Sequence, residues 1–144
     1  GNIPRPGKGI VMQKGSFVLA AEKEPEILDW GQLRWLSNPP STGAGQLTVI
    51  DVTLEPGKGH DFHMHPDQEE VLYVVAGTVE QWVDRERKLL GPGDSAFLPA
   101  GVVHASFNVG AANARLVAIL GPCQGDIGYE LVDMAGQEPW KSLR

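Results

Sequence analysis

The amino-acid sequence predicts an all-β fold, a sandwich or barrel of short strands. Three observations support it. Runs rich in β-branched and aromatic residues recur along the chain, with turn signals every eight to twelve residues. Gly and Pro together make 29 of the 144 residues, about a fifth where about an eighth is usual, and they are spread as many tight turns require. The region 22–45 is broken by Pro25, Gly31, Pro39 and Pro40, so no long helix fits there. The length suits one domain, residues 1–144, able to bury a core without a disulfide or a structural metal.

Each element follows from local pattern. SFVLAAE (16–22) reads as a first strand and LRWL (33–36) as a short second one. QLTVIDVTL (46–54) alternates, placing Thr48, Ile50, Val52 and Leu54 on one face. Leu47 and Val49 on the other face are also apolar, so both faces are expected to be covered. EPGKG makes a turn, HDFHMH continues extended, and EVLYVVAG (70–77) is a strand ending at Gly77. TVEQWV and RKLL form a hairpin around Asp84–Glu86, and GPGD (91–94) is a turn. SAFL, VVHASFNV and ARLVAIL bring the total to at least eight strands, with YELVD one more in the tail. Trp140 is expected to anchor that tail on the barrel or on another subunit.

Composition excludes several functions. A net charge of -6 and a pI near 5.1 leave no basic face for nucleic acid. The cluster RERK (85–88) includes a Glu and reads as a solvated turn. The lone Cys123 rules out an internal disulfide, fits a reducing compartment and receives no role. No stretch approaches the roughly 20 apolar residues of a membrane span. The start, GNIPRPGKG, has no apolar core of a secretion signal, so the cytoplasm is the expected location.

Chemistry concentrates in one place. Of four histidines, His60, His63 and His65 fall within six residues, followed by Glu69 and Glu70. Side chains alternate along a strand, so His63 and His65 share a side, about 7 Å apart along the chain, while Met64 faces away. Glu69 and Glu70 also oppose one another, so only one can join the histidines. A buried carboxylate beside neutral imidazoles is costly unless a cation compensates it. His104, after the turn Pro99-Ala100-Gly101, is the natural remaining ligand. Three imidazoles and a carboxylate suit Mn, Fe, Ni, Co, Cu or Zn, and four protein ligands leave an octahedral ion two open positions. The plainer reading makes HDFHMH a polar loop and His104 a hydrogen-bonded core histidine; two histidines at i and i+2 alone favour it.

Spacing changes that balance. Gly57, five residues, His63-Met64-His65, four residues, Glu70, six residues and Gly77 follow the pattern G(X)5HXH(X)3–4E(X)6G. Gly93, five residues, Pro99-Ala100-Gly101, two residues, His104, three residues and Asn108 follow G(X)5PXG(X)2H(X)3N. These are the two motifs of the cupin superfamily, which the chain resembles closely over residues 57–77 and 93–108. The 15-residue spacer between them is similar to that of compact single-domain cupins.

The resemblance implies a jelly-roll barrel, or double-stranded β-helix, with a divalent metal at its centre. His63, His65, Glu70 and His104 would be the ligands, which selects Glu70 over Glu69 and leaves Glu69 as a rim charge. The motif glycines and Pro99 would form turns, and Asn108 would be a strand-end hydrogen-bonder. The ligand set resembles that of quercetinase-type dioxygenases, in which Glu70 could loosen from the metal and serve as general base. Phe62, Trp82, Phe97 and Phe107 would either line an apolar pocket or, more commonly for a β-barrel, be plain core. His60 lies outside the motifs, and the DRER hairpin departs from the glycine usual there. Three functions are compatible with the resemblance: a metal-dependent dioxygenase-like enzyme on a small organic substrate, a non-redox isomerase, lyase or hydrolase, and a metal- or ligand-binding module without turnover. The apolar positions near 47–49 and the edge candidate 16–22 suggest a homodimer.

Overall fold

The computed structural model of the chain describes residues 13–144. Among the described residues eleven strands run in order: β1 (Glu26–Leu28), β2 (Gly31–Ser37), β3 (Thr48–Leu54), β4 (Gly59–Met64), β5 (Glu69–Ala76), β6 (Val79–Val83), β7 (Glu86–Leu90), β8 (Ser95–Leu98), β9 (His104–Asn108), β10 (Ala114–Gly121) and β11 (Val132–Asp133). All pair antiparallel, in one six-stranded sheet, β1-β2-β3-β10-β5-β8, and one five-stranded sheet, β11-β4-β9-β6-β7. The two sheets face each other as a jelly roll. No helix among the described residues is long and apolar enough to cross a membrane.

The alternation read in 46–54 sets the inner layer. Thr48, Ile50, Val52 and Leu54 are buried, and they meet Leu33, Leu72, Val74, Leu98, Leu116 and Leu120 between the sheets. The five-stranded sheet is covered on its outer side as well. There Phe62, Trp82, Ala105 and Phe107 lie under the tail residues Met134, Trp140 and Leu143. Trp140 therefore anchors the tail on the barrel itself. Near-continuous burial along β6 and β9 follows from this double cover.

Turn chemistry agrees with the motifs. Gly57, Gly77, Gly93 and Gly101 sit at φ 76, 87, 93 and 79°, a left-handed region costly for other residues. Gly77 has a second constraint, since a Cβ there would lie 2.8 Å from the Ala114 backbone. Asn108 is the strand-end bonder: its Nδ2 donates to the Leu54 and Ala112 carbonyls at 2.9 and 2.8 Å, and its Oδ1 accepts from Gly110 N–H at 2.9 Å. Between β2 and β3 the chain makes one helical turn, α1 (Pro39–Thr42), capped by Asn38.

Three expectations need correction. SFVLAAE is not a strand: residues 16–19 form no ladder and Ala20–Glu22 is a single 3-10 turn. Its β-forming composition lacks a partner, because β1 occupies the edge beside β2, and such preference takes effect through cross-strand packing. Leu47, expected to be covered, is 56% exposed in the single chain, so nothing within the fold itself covers it. YELVD contributes only the two-residue β11, which pairs with the end of β4.

Candidate metal centre

The site is assembled from both sheets. His63 on β4 is the Cα partner of His104 on β9, and His65 follows just past the end of β4. Glu70 comes from β5, on the opposite sheet. All four are buried, between 2% and 5% exposed. The ring centroids of His63 and His104 are 4.2 Å apart, those of His63 and His65 5.2 Å, and those of His65 and His104 5.3 Å. One nitrogen from each of these histidines lies within 4.8 Å of the others, a spacing that can hold a metal ion. Glu70 Oε1 approaches His104 Nε2 at 2.9 Å and His65 Nε2 at 3.5 Å. Met64, between the two β4 histidines, packs on the outer cluster, and Glu69 faces solvent.

Backbone carbonyls fix the tautomer of all three rings. His63 Nδ1 donates to Asp61 O at 2.6 Å, His65 Nδ1 to Glu130 O at 2.8 Å and His104 Nδ1 to Val102 O at 2.9 Å. A carbonyl only accepts, so the proton sits on Nδ1 and the Nε2 lone pair is free. Burial, followed by the neighbouring His60 and His104, holds His63 well below its ordinary 6.5. Burial also lowers His65, with Glu70 opposing it. Both rings are neutral at pH 7 and can donate lone pairs to a cation. His104 Nε2 and Glu70 Oε1 are buried with no well-aligned hydrogen-bond partner, the mark of atoms arranged around something else. The residues present fit a divalent metal.

His60 joins the site by a route the strand pattern hides. Residues 60 and 63 would oppose one another on a regular strand, but the β4–β9 register shifts between them, and such a bulge re-aims a side chain. His60 consequently stacks on His63 with centroids 3.7 Å apart, and on Trp30 at 5.0 Å. Burial lowers its pKa to about 4, helped by His104 and His65. Tyr129, 5.4 Å from the His65 ring, forms another wall; its hydroxyl is pushed above its usual value by burial, with Glu26 and Glu70 adding to the shift. Leu33, Ile50, Val52, Leu72, Leu116 and Leu120 are among the cavity's apolar walls, and Ser106 adds one hydroxyl. Among the described residues its lining holds no Lys or Arg, and its one carboxylate is Glu70.

The aromatics named from sequence lie elsewhere. Phe62, Trp82 and Phe107 form the outer cluster under the tail, and Phe97 is 55% exposed on the outer side of β8. Phe62, Trp82 and Phe107 are thus plain core, the commoner of the two readings, and only Phe97 fits neither. Trp30 and Tyr129 come from connections, where no periodicity marks them.

The cupin-domain family model matches residues 50–120, a span that holds both motifs, strands β4 to β9 and most of β3 and β10. This chain is a cupin. Its relatives include Protein SchB of Streptomyces halstedii, 32% identical over 119 residues, covering 81% of this cupin and 86% of SchB. Quercetin 2,3-dioxygenase of Bacillus subtilis is 42% identical over 85 residues, 58% of this cupin and 24% of the enzyme. The structure of KdgF from Halomonas sp. superimposes with a TM-score of 0.70 at 21% identity, covering 78% of this cupin and 98% of KdgF. That likeness concerns the fold alone.

Proposed function

We propose that this cupin is a metal-dependent, dioxygenase-like enzyme acting on a small organic substrate that carries one ionisable hydroxyl, such as an enol or a phenol. His63, His65, Glu70 and His104 are the ligands in this reading. A divalent first-row ion bound there would supply a Lewis-acid centre with open positions for substrate and dioxygen. The carrying observation is the contrast between that donor set and the rest of the cavity, which is apolar except for the uncharged His60, Ser106 and Tyr129 and holds no Lys or Arg among the described residues.

Charge decides the substrate class. A divalent ion with three neutral imidazoles and Glu70 leaves one positive charge in an apolar chamber. One singly charged oxygen neutralises it, whereas a dianion leaves surplus charge that no guanidinium or ammonium compensates, at considerable cost. Glu70, the only carboxylate in the lining among the described residues, would take the proton of the substrate hydroxyl and pass it on to solvent, so that it returns to the carboxylate counted above. The Trp30–His60 stack and Tyr129 give the substrate flat walls. The 42% identity to quercetin 2,3-dioxygenase supports an oxygen-dependent reaction.

The centre of a water-sized sphere can visit about 40 Å³ of the cavity, room for a reacting end and one or two small ligands. That limited space favours one competing reading, a module that binds metal or a small ligand without turnover. Metal analysis of the purified protein, then oxygen uptake with enediols and phenols, separates the two. Metal present with no uptake across the series would leave the binding module; neutral enols consuming oxygen while dicarboxylates do not would support the enzyme.

A homodimer belongs to the same reading. Val49, Ile119, Val71 and Phe97 are successive Cα partners across β3, β10, β5 and β8. They form an apolar row on the outer face of the six-stranded sheet, with Leu47 beside it. A second copy covers such a row well.

A further inference from the structure

One buried amide has no part in the chemistry described so far. Gln68 lies in the turn between β4 and β5, three residues after His65 and two before Glu70, and is 2% exposed. Its Nε2 donates to the Pro122 carbonyl and to the Gly128 carbonyl, each at 2.9 Å. Its Oε1 accepts from Glu130 N–H at 3.3 Å. All its bonds therefore go to one connection, the segment between β10 and β11. The same segment supplies the Tyr129 wall, and its Glu130 carbonyl receives the His65 Nδ1 proton at 2.8 Å.

The two contacts meet at one residue: Gln68 Oε1 holds the Glu130 N–H, and the Glu130 carbonyl, on the next peptide unit, holds His65. The other two histidines need no such help. Each donates to a carbonyl two residues before it, His63 to Asp61 on its own strand and His104 to Val102 in the turn just ahead of β9. His65 alone takes its orienting partner from a distant segment, 65 residues away. That partner has no strand ladder to fix it, since Glu130 lies outside every strand.

We propose that Gln68 is a positioning residue for the metal centre: by holding the connection at Pro122, Gly128 and the Glu130 N–H it fixes the Glu130 backbone, whose carbonyl sets the tautomer and ring angle of His65. This rests on the ligand set proposed above. Partners that orient a ligating imidazole typically change metal affinity by about 10–100-fold when removed. A purely structural Gln68 would instead pin the connection and leave the affinity alone.

Cobalt(II) titration of the metal-free protein, followed by its visible absorption, tests the difference. Gln68→Leu should weaken cobalt binding by about 10–100-fold and alter the visible band. Thr48→Val is the control. It removes the other donor to the Gly128 carbonyl, 2.7 Å away, but leaves the Glu130 contact, so its cobalt affinity should stay near wild type even if its melting temperature falls. Gln68→Leu binding cobalt as tightly as wild type, with the same band, would overturn the positioning role and leave the ligand set intact. A wild type that takes up no cobalt overturns both. Should Gln68→Leu fail to fold, Gln68→Met, closer in length, takes its place. Nitrogen NMR of the wild-type imidazoles adds a readout that needs no variant. His65 should carry its proton on Nδ1, and the opposite tautomer would overturn the proposal.

Discussion

His63, His65 and His104 present bare Nε2 atoms to one another inside a low-dielectric chamber, and the consequences of that arrangement can be measured one residue at a time. His63→Ala or His104→Ala should remove most of the bound metal by elemental analysis, whereas Glu69→Ala should remove none. Without metal, protons become the informative ligand. An unfolded imidazole titrates near 6.5, while folded His60 is held at about 4 and His63 well below 6.5. Below pH 6.5 the unfolded chain therefore binds protons that the folded chain refuses. Stability is complete above that pH and is lost as pH falls toward 4. His60 is only partly buried, so its share is about 1–2 kcal/mol rather than the full shift. The melting temperature of the metal-free protein should be level from pH 7 to 8 and drop between 6.5 and 5. His60→Phe, which keeps the stack on Trp30, should make the drop shallower. A flat profile in the wild type would contradict neutral buried imidazoles. At this scale the sequence was legible where spacing carries geometry: the three histidines and Glu70 are marked by counted intervals between turn-forming glycines. His60 was not, because the bulge that turns it inward leaves no trace in composition, and Gln68 was not, because its partners lie more than fifty residues away.

At the scale of elements, the tail and the β4 bulge act on the same strand from two sides. The bulge aims His60 and His63 inward, while β11 pairs with β4 at Val132↔Met64 and Asp133↔His63, laying Met134 and Trp140 over Phe62 and Phe107. Arg144 adds a cation over the Phe107 ring, 3.7 Å from its centroid. Trp140→Ala strips part of this cover and should cost about 2–3 kcal/mol, less than a fully buried tryptophan. Thermal melts would show the loss, and metal content should not change, because the cluster is on the far side of the sheet from the imidazoles. Loss of metal in that variant would mean the tail reaches the site. Strand order along 46–121 follows directly from alternation and turn residues. The flanks do not: SFVLAAE has strand composition without a neighbour to pair with, and YELVD has a neighbour for only two residues. Local preference reports what a segment can do, and the free sheet edge decides whether it does.

For the whole molecule, the two layers account for the composition. The inner layer consumes the β-branched and leucine residues, the tail covers a second face, and the outer face of the six-stranded sheet keeps an apolar row at Val49, Ile119, Val71 and Phe97. A solution mass near twice 15.5 kDa is expected by light scattering, and Phe97→Glu with Ile119→Glu should halve it; a monomer at every concentration would sink the dimer. The fold class was open to reading because jelly rolls are built from short strands at regular intervals. The empty walls of the chamber were harder to foresee, since the absence of a lysine or arginine from a cavity is a property of the assembled barrel.

Glu70 arrives from one layer and the three imidazoles from the other, and that division would let a bound ion rivet the fold. An ion gripped by all four would clamp the halves of the jelly roll together, and their breathing should slow in proportion to how tightly it is held. At 100 times its dissociation constant such an ion adds about 2.7 kcal/mol against unfolding. Loading the purified protein should therefore raise its melting temperature, and stripping it with a chelator should speed hydrogen exchange on β4, β5 and β9 together.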